Sequence, residues 1–167
     1  CDISNIENCI KSTESFCAGY HIDVMDNRFV PNSSWKPEFV NSIREKTDKP
    51  LFIHLMVENP QNYLDILKLN KGDTISFHVE THDNHKNLIK KIHDKNLLAS
   101  LALKPKTKIE AILNYLHEID HVLLMSVEPG FSGQEFLLPS FERFRALKSL
   151  KDINQAGFKI GLDGGIN

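Results

Sequence analysis

Six short runs rich in β-branched and apolar residues alternate along this chain with longer amphipathic stretches, a rhythm that few folds accept. The strand-like runs are Tyr20–Val24, Leu51–Met56, Thr74–Val79, Leu97–Leu103, His121–Val127 and Phe158–Asp163. The intervening pattern predicts helices from about Ile3 to Phe16, Pro37 to Lys46, Asn59-Pro60 onward, Leu88 to Asp94, Lys108 to Leu116 and Pro139 to Leu150. Asn59 reads as an N-cap with Pro60 at the first helical position, and Thr107 as the cap of Lys108–Leu116. Strand centres recur about every 23 to 37 residues, with no linker or shift in composition, so one domain over residues 1–167 is expected. Strands alternating with helices give parallel βαβ units with right-handed crossovers. Two α/β architectures fit: a doubly wound sheet and a (β/α)₈ TIM barrel.

The placement of polar residues separates them. A doubly wound sheet gathers ligand contacts at one switch point, whereas barrel enzymes build their sites from the C-terminal ends of several strands. Here the polar residues collect at several strand ends, and no GxGxxG or Walker A run is present, which favours the barrel. A barrel needs eight strands and six are legible. One strand is therefore expected before Cys1, and a final strand and helix after Asn167. The chain then reads as a trimmed portion of a longer polypeptide, with Cys1 and Asn167 flanking a gap about 10 Å or more wide at the usual strand spacing.

Bulk composition excludes several function classes. A hydrophobic content of 41%, a charged content of 25% and a formal net charge of −2 suit a water-soluble globular chain and leave no electrostatic footprint for nucleic acid or an anionic membrane. No apolar run approaches the roughly 18 residues of a membrane span, and the opening residues do not read as a signal peptide. Cys1, Cys9 and Cys17 are odd in number, which argues against a disulfide framework and for a reducing compartment.

Period-two alternation places His21, Asp23 and Met25 on one face of their strand, and Phe52, His54 and Met56 on one face of the next. A His and an Asp at a strand end can equally be a hydrogen-bonded core pair. Four such residues at the ends of three strands, His21, Asp23, His54 and Asp163, instead suit a divalent metal such as zinc, iron, manganese or cobalt, among which the N/O donor set does not choose. All three methionines, Met25, Met56 and Met125, fall at strand ends, as a soft apolar collar around a reacting carbon would. Two glycine-bearing loops, Glu128–Gln134 with Gly130 and Gly133, and Asp163-Gly164-Gly165, lie where barrels hold phosphate through backbone N–H groups.

Seven motifs carry a resemblance to the ribulose-phosphate 3-epimerase family: His21–Asp26, Phe29–Asn32, His54–Val57, Leu103–Pro105, Met125–Val127, Pro129–Gln134 and Asp163–Gly165. It covers essentially the whole chain, in order. The resemblance implies a TIM-barrel isomerase of carbohydrate metabolism that interconverts D-ribulose 5-phosphate and D-xylulose 5-phosphate in the pentose phosphate pathway. It implies that His21, Asp23, His54 and Asp163 hold one divalent metal ion and that Asp23 and Asp163 are the catalytic acid/base pair. Gly130, Phe131, Ser132, Gly133, Gly164 and Gly165 would bind the phosphate end of the sugar, with His54 also at the substrate. A cytoplasmic homo-oligomer with a small sugar phosphate as its partner is expected, without nucleic acid or membrane. Asn27 stands where the family usually has Gly, and Glu128 where it usually has Asn. A first-strand Ser and a last-strand phosphate turn of the family are absent. Allulose-6-phosphate 3-epimerase shares the metal set, although Leu103–Pro105 and Phe77–Glu80 lean towards the pentose enzyme. A truncated, inactive metal- or phosphate-binding protein is the remaining alternative.

Overall fold

The computed structural model describes residues 5–81 and 84–166. The strands are β1 (Tyr20–Met25), β2 (Leu51–Met56), β3 (Thr74–His78), β4 (Leu98–Leu103), β5 (His121–Met125) and β6 (Lys159–Asp163). The helices are α1 (Ile6–Thr13), α2 (Pro37–Arg44), α3 (Gln61–Leu64), α4 (His85–Asp94) and α5 (Pro139–Ile153). Among the described residues no helix is long and apolar enough to cross a membrane. Cys9 and Cys17 are free thiols.

Two helical expectations are corrected. Pro60, rather than Asn59, occupies the N-cap of α3, and Asn59 contributes only its carbonyl, which accepts from the Asn62 amide. The stretch after Thr107 is a 3₁₀ helix, Ile109–Tyr115, whose N-cap is Lys108, without a side-chain cap. The reason is visible in the Thr107 hydroxyl, which donates to the Glu80 carboxylate and is not free to cap the following turn.

All six strands are parallel and each pairs with its sequence neighbour, in the order β1-β2-β3-β4-β5-β6. This order has no switch point, so the doubly wound alternative is excluded for the described residues. Alternation divides the sheet into two faces. Ile22, Val24, Ile53, Leu55, Ile75, Phe77 and Leu101 pack outward in the main core with Val40, Ile43, Leu88, Ile92 and Leu147 of the helices. On the inner face a second, smaller core joins Ala102, Leu123, Met125 and Val127 with Phe52.

The sheet is curled into part of a barrel. Laid flat, six strands at the usual spacing would hold β1 and β6 about 24 Å apart. Instead His54 Nδ1 on β2 lies 3.0 Å from Asp23 of β1 and 3.3 Å from Asp163 of β6. The register also carries a stagger. From Asp23 the ladder runs through His54, Ser76, Ser100 and His121 to Lys159. The β6 residue that meets Asp23 across the interior is Asp163, four positions further along the strand. Tilted strands in a barrel produce such an offset, and its even value keeps both residues on the inner face. β1 and β6 do not pair with each other, so the six strands form no closed ring by themselves. Cys1 and Asn167, expected to flank a gap, lie outside the described residues, as does the predicted helix start at Ile3.

At the opposite end from these side chains, Arg44 of α2 reaches a buried carboxylate beside β2 and β3. Arg44 Nη1 donates to both Asp73 oxygens at 3.0 and 3.1 Å, with only 5% and 2% of the two side chains exposed. Asp73 also accepts from the amides of Leu51 and Asn70, both at 2.8 Å. Arg44→Met strands the carboxylate and should cost about 3–5 kcal/mol in urea unfolding. Asp73→Leu should cost more, since it also leaves two backbone amides without their acceptor, at about 1–3 kcal/mol each.

Candidate metal and substrate site

Four inner-face side chains meet at the C-terminal end of the sheet. β1 contributes His21 and Asp23, β2 contributes His54, and Asp163 ends β6. His21 Nε2 lies 3.1 Å from Asp23 Oδ1 and 3.8 Å from Asp163 Oδ2, and His54 Nδ1 contacts the same two oxygens. One donor atom from each residue falls within 4.8 Å of all the others. At metal–ligand distances of about 2.1 Å, neighbouring ligand atoms stand about 3.0 Å apart in an octahedron and about 3.4 Å apart in a tetrahedron. The donor set therefore fits a divalent ion with little adjustment. His21 is held in place by stacking on Phe52, its register partner, with ring centroids 5.1 Å apart.

The electrostatics suit a cation. Burial works against the Asp23 carboxylate, but hydrogen bonds from His21 and His54 outweigh it and hold Asp23 well below the usual carboxylate range. Burial likewise works against charge on His54, yet Asp163 and Asp23 outweigh it and raise the imidazole above its ordinary value. Without a metal, a proton on Nδ1 thus balances the two carboxylates; a divalent ion would take its place.

Behind His54 stands His78 of β3, wholly buried, with its Nε2 2.9 Å from His54 Nε2. Burial lowers the His78 pKa to about 4. Its Nδ1 lies 3.0 Å from Glu80, whose other oxygen accepts from the Lys104 amide at 2.8 Å. Burial opposes the Glu80 charge, but hydrogen bonds from His78 and Thr107 lower its pKa to about 2.

A cavity of about 620 Å³ opens over the carboxylates. Asp23 and Asp163 line it together with Met25, Met56 and Met125, the last residues of β1, β2 and β5. Gly130, Phe131, Ser132, Gly133, Gly164 and Gly165 line the same cavity, so the two glycine loops face the carboxylates across it. His21 and His54 do not line it, and His54 is wholly buried. The glycines of the β6 loop have a packing reason of their own. At Gly164 (φ 109°) a Cβ would fall 2.2 Å from Val127, and at Gly165 (φ 63°) it would fall 2.5 Å from the Phe136 amide. Asn27, in place of a glycine, takes φ 58°, which Asn tolerates. Next to it Asp26 accepts from the amides of Arg28, Phe29 and Glu58 and shapes the β1 loop.

Several residues that shape this end of the sheet lie outside the set expected from sequence. Ser126 Oγ bonds the carbonyls of Asp163 and Gly164 at 2.7 and 2.6 Å, pinning the β6 loop to β5. Ser34 Oγ donates to the Asp23 carbonyl at 2.6 Å, and Asn32 Nδ2 donates to the Gly130 carbonyl at 2.7 Å. Arg143 of α5 donates to the carbonyls of Met125, Lys104 and Thr107. For His78 a sequence signal exists, because alternation along Thr74–His78 puts it on the same face as Ser76, the register partner of His54. The others depend on contacts between distant segments.

Comparison with known proteins agrees with this geometry. The Ribulose-phosphate 3 epimerase family matches residues 1–167. A ribulose-phosphate 3-epimerase of Aquifex aeolicus is 39% identical over 146 residues, covering 87% of this chain and 66% of that protein. The protein of the same name from Bacillus subtilis is 36% identical over 99% of this chain and 77% of its own length. The one from Schizosaccharomyces pombe is 36% identical over 99% and 73%. The chain thus spans between about two thirds and three quarters of these relatives. Parallel strands in sequential order, two acids and two histidines at their C-terminal ends and a match along the entire sequence place the chain in the ribulose-phosphate 3-epimerase family.

Proposed function

We propose that this chain carries the reaction centre of an epimerase that interconverts D-ribulose 5-phosphate and D-xylulose 5-phosphate by moving the proton on C3. The observation that carries the reading is the approach of Asp23 and Asp163 from opposite edges of the sheet to one point at the floor of the cavity. Inverting a carbon requires a base on one face and an acid on the other, and two carboxylates on separate strands supply both. One takes the C3 proton, the C–H electrons move towards the C2 carbonyl to give an enediolate, and the other delivers a proton to the opposite face of C3. A divalent ion held by His21, Asp23, His54 and Asp163 would supply the positive charge that stabilises the enediolate oxygens.

The remaining residues orient and protect. Met25, Met56 and Met125 surround the carboxylates with polarizable apolar surface, which keeps water from the reacting carbon. The backbone of Gly130–Gly133 and of Gly164-Gly165, with the Ser132 hydroxyl, would receive the phosphate on the far side of the cavity. The relatives' names favour the pentose substrate over the allulose one.

Two outcomes are expected in the full-length protein. Metal analysis should find one divalent ion per chain, and His54→Ala should remove most of it; full occupancy in that variant would take His54 out of the donor set. At saturating metal, Asp23→Asn and Asp163→Asn should each lower epimerisation by about 10²- to 10⁴-fold. Each should still exchange the C3 proton of one epimer with solvent deuterium and not that of the other, since one working carboxylate remains on one face. Affinity for inorganic phosphate should stay near the parental value. A variant that exchanges neither epimer, or both, would deny that residue its place in the pair, and a parent protein that neither exchanges the C3 proton nor turns over would favour a binding protein.

A further inference from the structure

His78 and Glu80 are wholly and largely buried, do not line the cavity, and end on the His54 imidazole of the donor set. Their hydrogen bonds have only one consistent direction once a metal ion occupies the Nδ1 lone pair of His54. A carboxylate accepts and never donates, so His78 must carry its proton on Nδ1, 3.0 Å from Glu80. A His54 that ligates a metal through Nδ1 carries its proton on Nε2, so across the 2.9 Å contact it is the donor and His78 Nε2 the acceptor. When a divalent ion replaces the Nδ1 proton, the Nδ1 lone pair of His54 faces the point where Asp23 and Asp163 converge.

We propose that Glu80 and His78 are positioning residues for the metal centre, selecting through two successive hydrogen bonds the one His54 tautomer able to ligate through Nδ1. Glu80 is itself fixed from behind by the Lys104 amide and the Thr107 hydroxyl, so the chain of bonds is anchored in the backbone of the β4 loop. The inference rests on the metal reading of the site, and two measurements keep their fates apart.

The first is a zinc titration against a chelating competitor, on the parent protein and on Glu80→Gln. The substitution preserves shape, and the Lys104 N–H, a pure donor, keeps the new amide oxygen on its own side. The amide NH₂ then faces His78 Nδ1. That reverses the relay: His78 protonates Nε2, and His54 is driven to the tautomer whose proton blocks Nδ1. Zinc affinity should fall about 10- to 100-fold, the usual range for lost outer-shell partners, while the melting temperature of the metal-free protein stays parental. Unchanged zinc affinity would overturn the proposal. A parent that binds no zinc would overturn the metal reading itself.

The second measurement needs no substitution and holds even if Glu80→Gln fails to fold. Nitrogen-15 shifts of the zinc-loaded parent should show His54 protonated on Nε2 and His78 on Nδ1. A proton on His78 Nε2 would overturn the relay while leaving zinc binding intact.

Discussion

Everything at the functional end of this molecule depends on the tilt of its strands. A flat sheet would leave Asp23 and Asp163 at opposite edges, far out of reach of a shared ligand. Tilt and curl bring them to one nitrogen of His54, and an offset of four residues between the ladder and the interior contact records it. The outward core of aliphatic side chains holds that curvature by packing each strand against helices. The inner face is therefore free to carry polar residues at one end and a small apolar core below them.

The two ends of the sheet divide the work. Arg44 and Asp73 form a buried ion pair near the N-terminal ends of the strands, where the interaction serves the fold. At the C-terminal ends the charged groups face a cavity and each other, and hydrogen bonds from His21 and His54 hold Asp23 well below the usual carboxylate range. Like charges there repel unless a cation or a proton intervenes. This is the signature of a site arranged for a ligand rather than for stability.

Much of this could be read from the chain because period two is a strict rule. Once Tyr20–Met25 and Leu51–Met56 are strands, the common face of His21, Asp23, His54 and the methionines follows, and the register bears it out. Asp163 was legible as a strand terminus. Helix ends were less so. Thr107 has the chemistry of a cap but gives its hydroxyl to a carboxylate 27 positions away, and no local pattern announces that. Arg143, Ser126 and Asp73 share this character: each satisfies groups remote in sequence, and their partners become evident only when the strands are side by side. The Gly164-Gly165 pair suggested an anion loop, yet its closeness to Val127 and Phe136 is a second, purely steric requirement.

The stagger has a consequence for how such a protein can diverge. Inserting a single residue within β6 turns Asp163 towards the helices, and inserting two lifts it by roughly 6.6 Å along the strand. Either change detaches it from His54, so the strands are locked in length. The segment from Glu128 to Leu138 hangs from the same end with no ladder to keep in step, and it lines the cavity through Gly130, Ser132 and Gln134. Lengthening or shortening that loop reshapes what the cavity accepts without moving the acids. Drift in substrate preference therefore has an open route through the loops, while a change of reaction type would have to rewrite the strands.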